Sequence, residues 1–135
     1  MAGYSGTPLA KKLGLKPGFR VVVVNQPPDY EEKLGVLPDG VEIRKRLGKG
    51  LDFVHFFTAR RRVLMRKFPS LARSLAPSGM LWIFWPKAAS GMKSDLNGNV
   101  VREIGLESGL VDIKVCAVDD VWSGLKFVIR VRDRP

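Results

Sequence analysis

Apolar positions along the chain follow two rhythms, one of unbroken short runs and one of helical spacing. Arg20 to Val24 carries four successive valines, the pattern of a strand covered on both faces, as in a parallel sheet. Residues 51–59, LDFVHFFTA, are again nearly all apolar and rich in β-branched and aromatic side chains, which predicts a second strand of the same kind. Between them GVEIR, 40–44, reads as a short strand. After residue 59 the rhythm changes: Leu64, Phe68, Leu71 and Leu75 recur at four, three and four residues, the stripe of a helix packed on a sheet. Pro69 falls inside that stripe and is expected to break or restart the helix.

Turn chemistry separates the remaining elements. Thr7 before Pro8 suits a helix N-cap with proline at the first helical position, Leu9 and Leu13 share a face, and Gly14 closes the turn. Pro77 and Gly79 lead into a strand from Met80 to Trp85, stopped by Pro86. The polar loop KAASGMKSD precedes a helix around Asn97 to Ser108, ended by Gly109. LVDIKVCAV and LKFVIRV are two strands joined by DDVWSG, short enough for an antiparallel hairpin.

Strands interleaved with helices predict an α/β, Rossmann-like fold: a mostly parallel sheet of about six strands, helices on both faces, and a C-terminal antiparallel hairpin. The expectation is one domain over residues 1–135, with 1–16 forming an N-terminal arm and short helix. Hydrophobic residues at 45% of 135 agree with a buried core. No apolar run reaches the roughly 18 residues of a membrane span, and the N-terminus lacks the apolar region of a secretory signal, so a cytoplasmic protein is expected. Cys116 is the single cysteine and reads as a buried, unreactive thiol.

Charge alters this picture. The net charge is +10, and the excess is local: between Arg44 and Arg73 stand ten basic residues against one acid, Asp52, whereas the rest of the chain is nearly balanced. Arg44, Lys45, Arg46, Lys49, Arg66, Lys67 and Arg73, together with the run Arg60, Arg61 and Arg62, make a nucleic-acid contact a candidate. A second candidate lies at the carboxyl ends of the parallel strands, where such sheets take ligands. Asn25 and Gln26 follow the first strand, Thr58 and Arg60 to Arg62 join a strand end to a helix start, and Trp85 and Lys87 end the fourth strand. Trp122 and Ser123 stand at the hairpin. This set suits an anionic small molecule held by guanidinium groups and helix amides, or a stacked single strand. His55, the only histidine, lies inside an apolar strand with Asp52 directed to the opposite face, and reads as a core residue. Asp119 and Asp120 read as turn residues. No metal-ligand spacing, nucleophile elbow or phosphate loop is found.

GYSGTPLAKKLGLKPG, LWIFWPKAASG and GLVDIKVCAVDDVWSGLKFV, which together span nearly the whole chain, resemble a bacterial family filed as a domain of unknown function. The element order resembles the class I S-adenosylmethionine-dependent methyltransferase fold. That second resemblance implies glycines after the first strand and an acid at the tip of the second. The chain instead has Asn25, Gln26, Pro27 and Pro28, with no glycine before Gly35, and Arg44, Lys45 and Arg46 after the second strand. No cofactor held in the usual way is therefore expected. Three readings stand open: a non-catalytic domain binding an anionic ligand or partner at the strand ends, an RNA-binding protein using segment 44–73, and an atypical methyltransferase. Pairing with a second copy through the hairpin's outer strand or an apolar sheet face is also left open.

Overall fold

The computed structural model describes residues 8–135. Six strands form one sheet: β1 (Arg20–Val24), β2 (Glu42–Ile43), β3 (Leu51–Phe57), β4 (Leu75–Pro86), β5 (Leu110–Ala117) and β6 (Trp122–Ile129), in the order β2-β1-β3-β4-β6-β5. The first four run parallel, and β6 joins antiparallel to both β4 and β5. Helices α1 (Leu9–Leu13), α2 (Tyr30–Leu34), α3 (Arg61–Arg73) and α4 (Gly98–Glu107) cover both faces. The Rossmann-like α/β sheet with its closing antiparallel hairpin is thus the architecture expected from the sequence.

Alternation along the strands sorts the core into two layers. Val22, Val54, Phe56, Leu81, Ile83 and Phe127 point to the face where α3 brings Leu64, Phe68 and Leu71 and α4 brings Val101 and Ile104. Val21, Phe53, Phe57, Trp82 and Phe84 point to the other, under Leu13 of α1 and Tyr30 and Leu34 of α2. His55 belongs to this second layer, fully buried, with Nδ1 hydrogen-bonded to the Tyr30 hydroxyl and Nε2 unpartnered. Burial pushes its pKa well below the ordinary histidine value, so the ring is neutral. Asp52, on the opposite side of the strand, accepts from the Arg20 backbone N–H at 2.8 Å.

Several boundaries differ from the sequence reading for identifiable reasons. Pro69 neither breaks nor restarts α3, which runs through it. The proline sits on the solvent side of the helix, where water can satisfy the carbonyl one turn earlier. Leu75 continues the helical spacing yet belongs to β4, paired with Leu51. Ser74 ends the helix, its hydroxyl donating to the Leu71 carbonyl at 2.6 Å while its own carbonyl accepts from Leu51 N–H. β4 therefore begins at Leu75, before the expected Met80, with a register irregularity between the pairs at Leu51 and Phe53. Pro8 occupies the cap position of α1 and Gly14 closes it at φ +94°. Thr7 lies outside the described residues. Asn97 caps α4 by accepting from Val100 N–H at 2.9 Å.

Candidate functional site

Strand order reverses between β1 and β3: the chain leaves β1 toward β2 on one side and returns to β3 on the other. A crevice for ligands is expected beyond the carboxyl ends of these two strands. In this chain it is bridged. Asn25 adopts φ +60°, the one non-glycine residue with positive φ among those described, and its side-chain amide donates to the Phe57 carbonyl at 2.7 Å. Asparagine tolerates this left-handed conformation better than most residues, so the position is chemically consistent with the bridge. Pro27 and Pro28 then direct the chain into α2, and the Tyr30 ring packs edge-on against Phe57 with centroids 4.7 Å apart. Tyr30 is only 1% exposed and burial raises its hydroxyl pKa far above the ordinary value, so it fills the layer beneath the crevice as a neutral side chain.

A polar tie holds α2 in place. The Lys33 ammonium bonds the Asp119 carboxylate in the β5–β6 turn and reaches Asp29 at 3.2 Å. Asp119 also accepts from the backbone N–H groups of Val121 and Trp122, each at 2.8 Å. It serves its own turn, as read from sequence, and additionally anchors a distant helix. Burial pushes the Asp119 carboxyl up, but the Lys33 ammonium and the two N–H donors outweigh it and leave the pKa below the ordinary value.

An open groove of about 530 Å³ lies instead on the α3 side of the sheet, lined by Arg61, Arg62, Met65, Arg66 and Asp95. β3 ends at Phe57, four residues before α3 starts, and Asp95 comes from the loop after β4, so the groove borders the carboxyl edge of the sheet. Asp95 accepts from the Arg61 backbone N–H at 2.6 Å, and the Ser94 hydroxyl donates to the Ala59 carbonyl at 2.8 Å. An internal carboxylate thus takes one of the free amides at the α3 N-terminus, offsetting three arginines that oppose the helix dipole. The guanidinium groups themselves remain outward: among the described residues Arg61, Arg62 and Arg66 form no ion pair. They can offer planar, bidentate donors to an anion.

The other candidates are dispersed. Thr58 is buried, its hydroxyl accepting from Arg60 N–H at 3.3 Å. Trp85 is buried in the α3 and α4 layer, whereas Trp122 packs on Phe57 in the opposite layer at 5.1 Å. Ser123 pairs with Trp85 in the sheet register, and the Lys87 backbone N–H is held by the Val121 carbonyl at 2.7 Å. Gln26 is exposed beside Asn25. The two tryptophans therefore share no ligand face. Asp95, Met65, Tyr30 and Lys33 were not reached from the sequence; the polar KAASGMKSD loop was the only signal near Asp95, and nothing local ties it to Arg61. Among the described residues no group of three or more His, Cys, Asp or Glu is placed to hold a metal ion, and no helix is long and apolar enough to cross a membrane.

No protein-family model matches the chain, and no curated protein matches it significantly. Its fold does match solved structures. A SAM-dependent methyltransferase from Aquifex aeolicus superposes with a TM-score of 0.63 at 17% identity, covering 88% of this chain and 86% of the other. A TehB-like SAM-dependent methyltransferase from Corynebacterium glutamicum gives 0.57 at 11% identity, with 96% and 91% covered. Magnesium protoporphyrin IX methyltransferase from Synechocystis, with bound SAH, gives 0.54 at 12% identity, with 84% and 75% covered. The fold is that of SAM-dependent methyltransferases. The residues at the β1–β3 crevice do not fit the methyl donor as that fold's pattern implies: no glycine admits a ligand to the backbone, Asn25 bridges the gap, and Glu42 of the edge strand accepts from the Arg44 guanidinium just after it at 3.0 Å.

Proposed function

We propose that the chain is a methyltransferase-like protein that binds an anionic ligand in the groove of Arg61, Arg62 and Arg66. The observation that carries this reading is the coincidence of position and charge: an open groove at the carboxyl edge of the sheet, lined by three arginines that form no ion pair among the described residues and by one acid, Asp95. Asp95, exposed at the groove, fixes the start of α3 by accepting from the Arg61 backbone N–H, and forms no ion pair with the arginine side chains. The reading keeps the anion expected at the helix start but moves it away from Asn25, Gln26, Trp85, Lys87 and Trp122. Residues 1–135 act as one domain in it. The family resemblance seen in the sequence motifs belongs to the proposal in the same way, since no family model supports it.

A second reading, an atypical S-adenosylmethionine-dependent methyltransferase, draws on the fold likeness, which supports it more directly than it supports a non-catalytic role. The donor would then have to displace the Asn25 bridge or sit apart from it. Calorimetry at low salt separates the two. Binding of pyrophosphate or a nucleoside diphosphate, abolished by Arg62→Gln/Arg66→Gln, is the result expected here. Binding of S-adenosylmethionine insensitive to those substitutions, with no binding of the phosphorylated ligands, supports the second reading and refutes the first.

A further inference from the structure

Arg62, Arg66 and Arg73 are positions zero, four and eleven of one stripe of α3, within about 40° of each other around the axis. They lie opposite the buried Leu64, Phe68 and Leu71, and so face solvent squarely. The row is ~16 Å long at 1.5 Å per residue. Arg61 and Lys67 lie about 120° away from the row on either side, at the borders of the buried face. Leu47 packs on the same core layer as α3, which sets the loop carrying the exposed Lys45, Arg46 and Lys49 on the same face of the sheet. Elsewhere Arg20, Lys33 and Arg102 are paired with Asp52, Asp119 and Asp112, and basic side chains without an ion pair among the described residues, such as Lys16, Lys114 and Lys126, belong to a remainder of the chain whose acids nearly balance its bases; the excess of positive charge lies in segment 44–73. Of the ten basic residues between Arg44 and Arg73, only Arg44 forms an ion pair among the described residues.

We propose that this face docks on the sugar-phosphate backbone of a nucleic-acid duplex without reading its bases. The inference rests on the anion-binding reading above and extends it from one groove to the whole helix. A row of that length exceeds what one small anion can occupy, whereas a duplex presents a negative charge every ~1.7 Å of its axis. A single strand is the poorer fit, because its affinity draws on aromatic platforms. Every exposed large apolar side chain among the described residues is aliphatic or methionine, and Trp85 is 7% exposed. An acidic protein partner would need apolar anchors at its centre, and the face offers only Val63 and Met65.

The test is a fluorescence-anisotropy titration of a labelled mixed-sequence duplex of about 20 base pairs at several salt concentrations. With about four phosphate contacts the affinity falls on the order of 100-fold between about 50 and 200 mM salt. Arg62→Gln/Arg66→Gln lowers the slope of log affinity against log salt by about 1.8, while Lys11→Gln/Lys16→Gln, an equal charge loss on α1 and the turn after it, leaves the slope within about 0.5 of the parent. Changing the duplex sequence leaves affinity unchanged. A flat salt response, equal effects of the two double variants, or tighter binding of a single strand or of polyglutamate overturns the inference. Pyrophosphate binding in the groove without duplex binding overturns it too and leaves the anion reading standing; loss of both ends both.

Discussion

Replacing Asn25 by alanine and by glycine isolates the bridge that closes the β1–β3 crevice. Both substitutions remove the 2.7 Å hydrogen bond to the Phe57 carbonyl, a net loss of about 0.5–1.5 kcal/mol for one intramolecular bond. They differ in the backbone. At φ +60° alanine adds a left-handed penalty of about 1 kcal/mol or more, which glycine escapes, though glycine also gives the unfolded chain more freedom. Asn25→Ala is therefore expected to lower unfolding free energy by about 2 kcal/mol, and Asn25→Gly by about 1 kcal/mol. Urea denaturation with unchanged m-values reads the difference. If glycine destabilises as much as alanine, the left-handed conformation is not the constraint; if alanine is neutral, the bridge contributes nothing and the crevice is held shut by other means. Asn25→Gly also recreates the glycine that a donor-binding loop would have. With Tyr30 still in place, it is expected to gain no affinity for S-adenosylmethionine in calorimetry.

Three further outcomes follow from the packing and the ionisable groups. Gly105→Ala places a methyl group into the Phe127 ring and is expected to cost about 1–3 kcal/mol by overpacking, read by denaturation. His55 has a folded pKa depressed by burial, so the unfolded chain binds its proton more readily; stability is full above about pH 6.5 and falls as pH drops below it. As this is the only histidine, His55→Phe should flatten the stability profile between about pH 6.5 and 5, and a slope unchanged by the substitution contradicts the burial argument. Asp119 has a depressed folded pKa, so its tie to Lys33 contributes above about pH 4 and is lost on further acidification; Asp119→Asn should remove that part of the acid dependence in the same titration.

The strands were legible wherever local pattern and tertiary environment agree. Four valines announce β1 because both its faces are covered, and alternation announces the β5–β6 hairpin. Helix α3 was readable from Leu64, Phe68 and Leu71, but its end was not, because Leu75 satisfies helical spacing while pairing with Leu51 and a serine hydroxyl decide the boundary. Pro69 misled for a related reason, since its consequence depends on which side of the helix meets water. At the site, arginine clustering was visible in composition, yet Asp95 lies 34 residues from Arg61 and reaches it only through the fold. The two tryptophans do stand at the same edge of the sheet, but the sequence could not show that they face opposite sides, because strand register was unknown. Trp85 lies opposite Ser123, so Trp122, one residue along, faces the other way.

The central claim is that anions meet this methyltransferase fold on the arginine side of α3, with the β1–β3 crevice closed by the chain's own Asn25 and Tyr30. Amide chemical-shift mapping of isotope-labelled protein titrated with pyrophosphate at low salt tests it directly. The account predicts saturable shifts at Arg61, Arg62, Met65, Arg66 and Asp95, with Asn25 to Tyr30 unmoved. Shifts concentrated at Asn25, Gln26, Phe57 and Thr58, with the groove amides silent, contradict it.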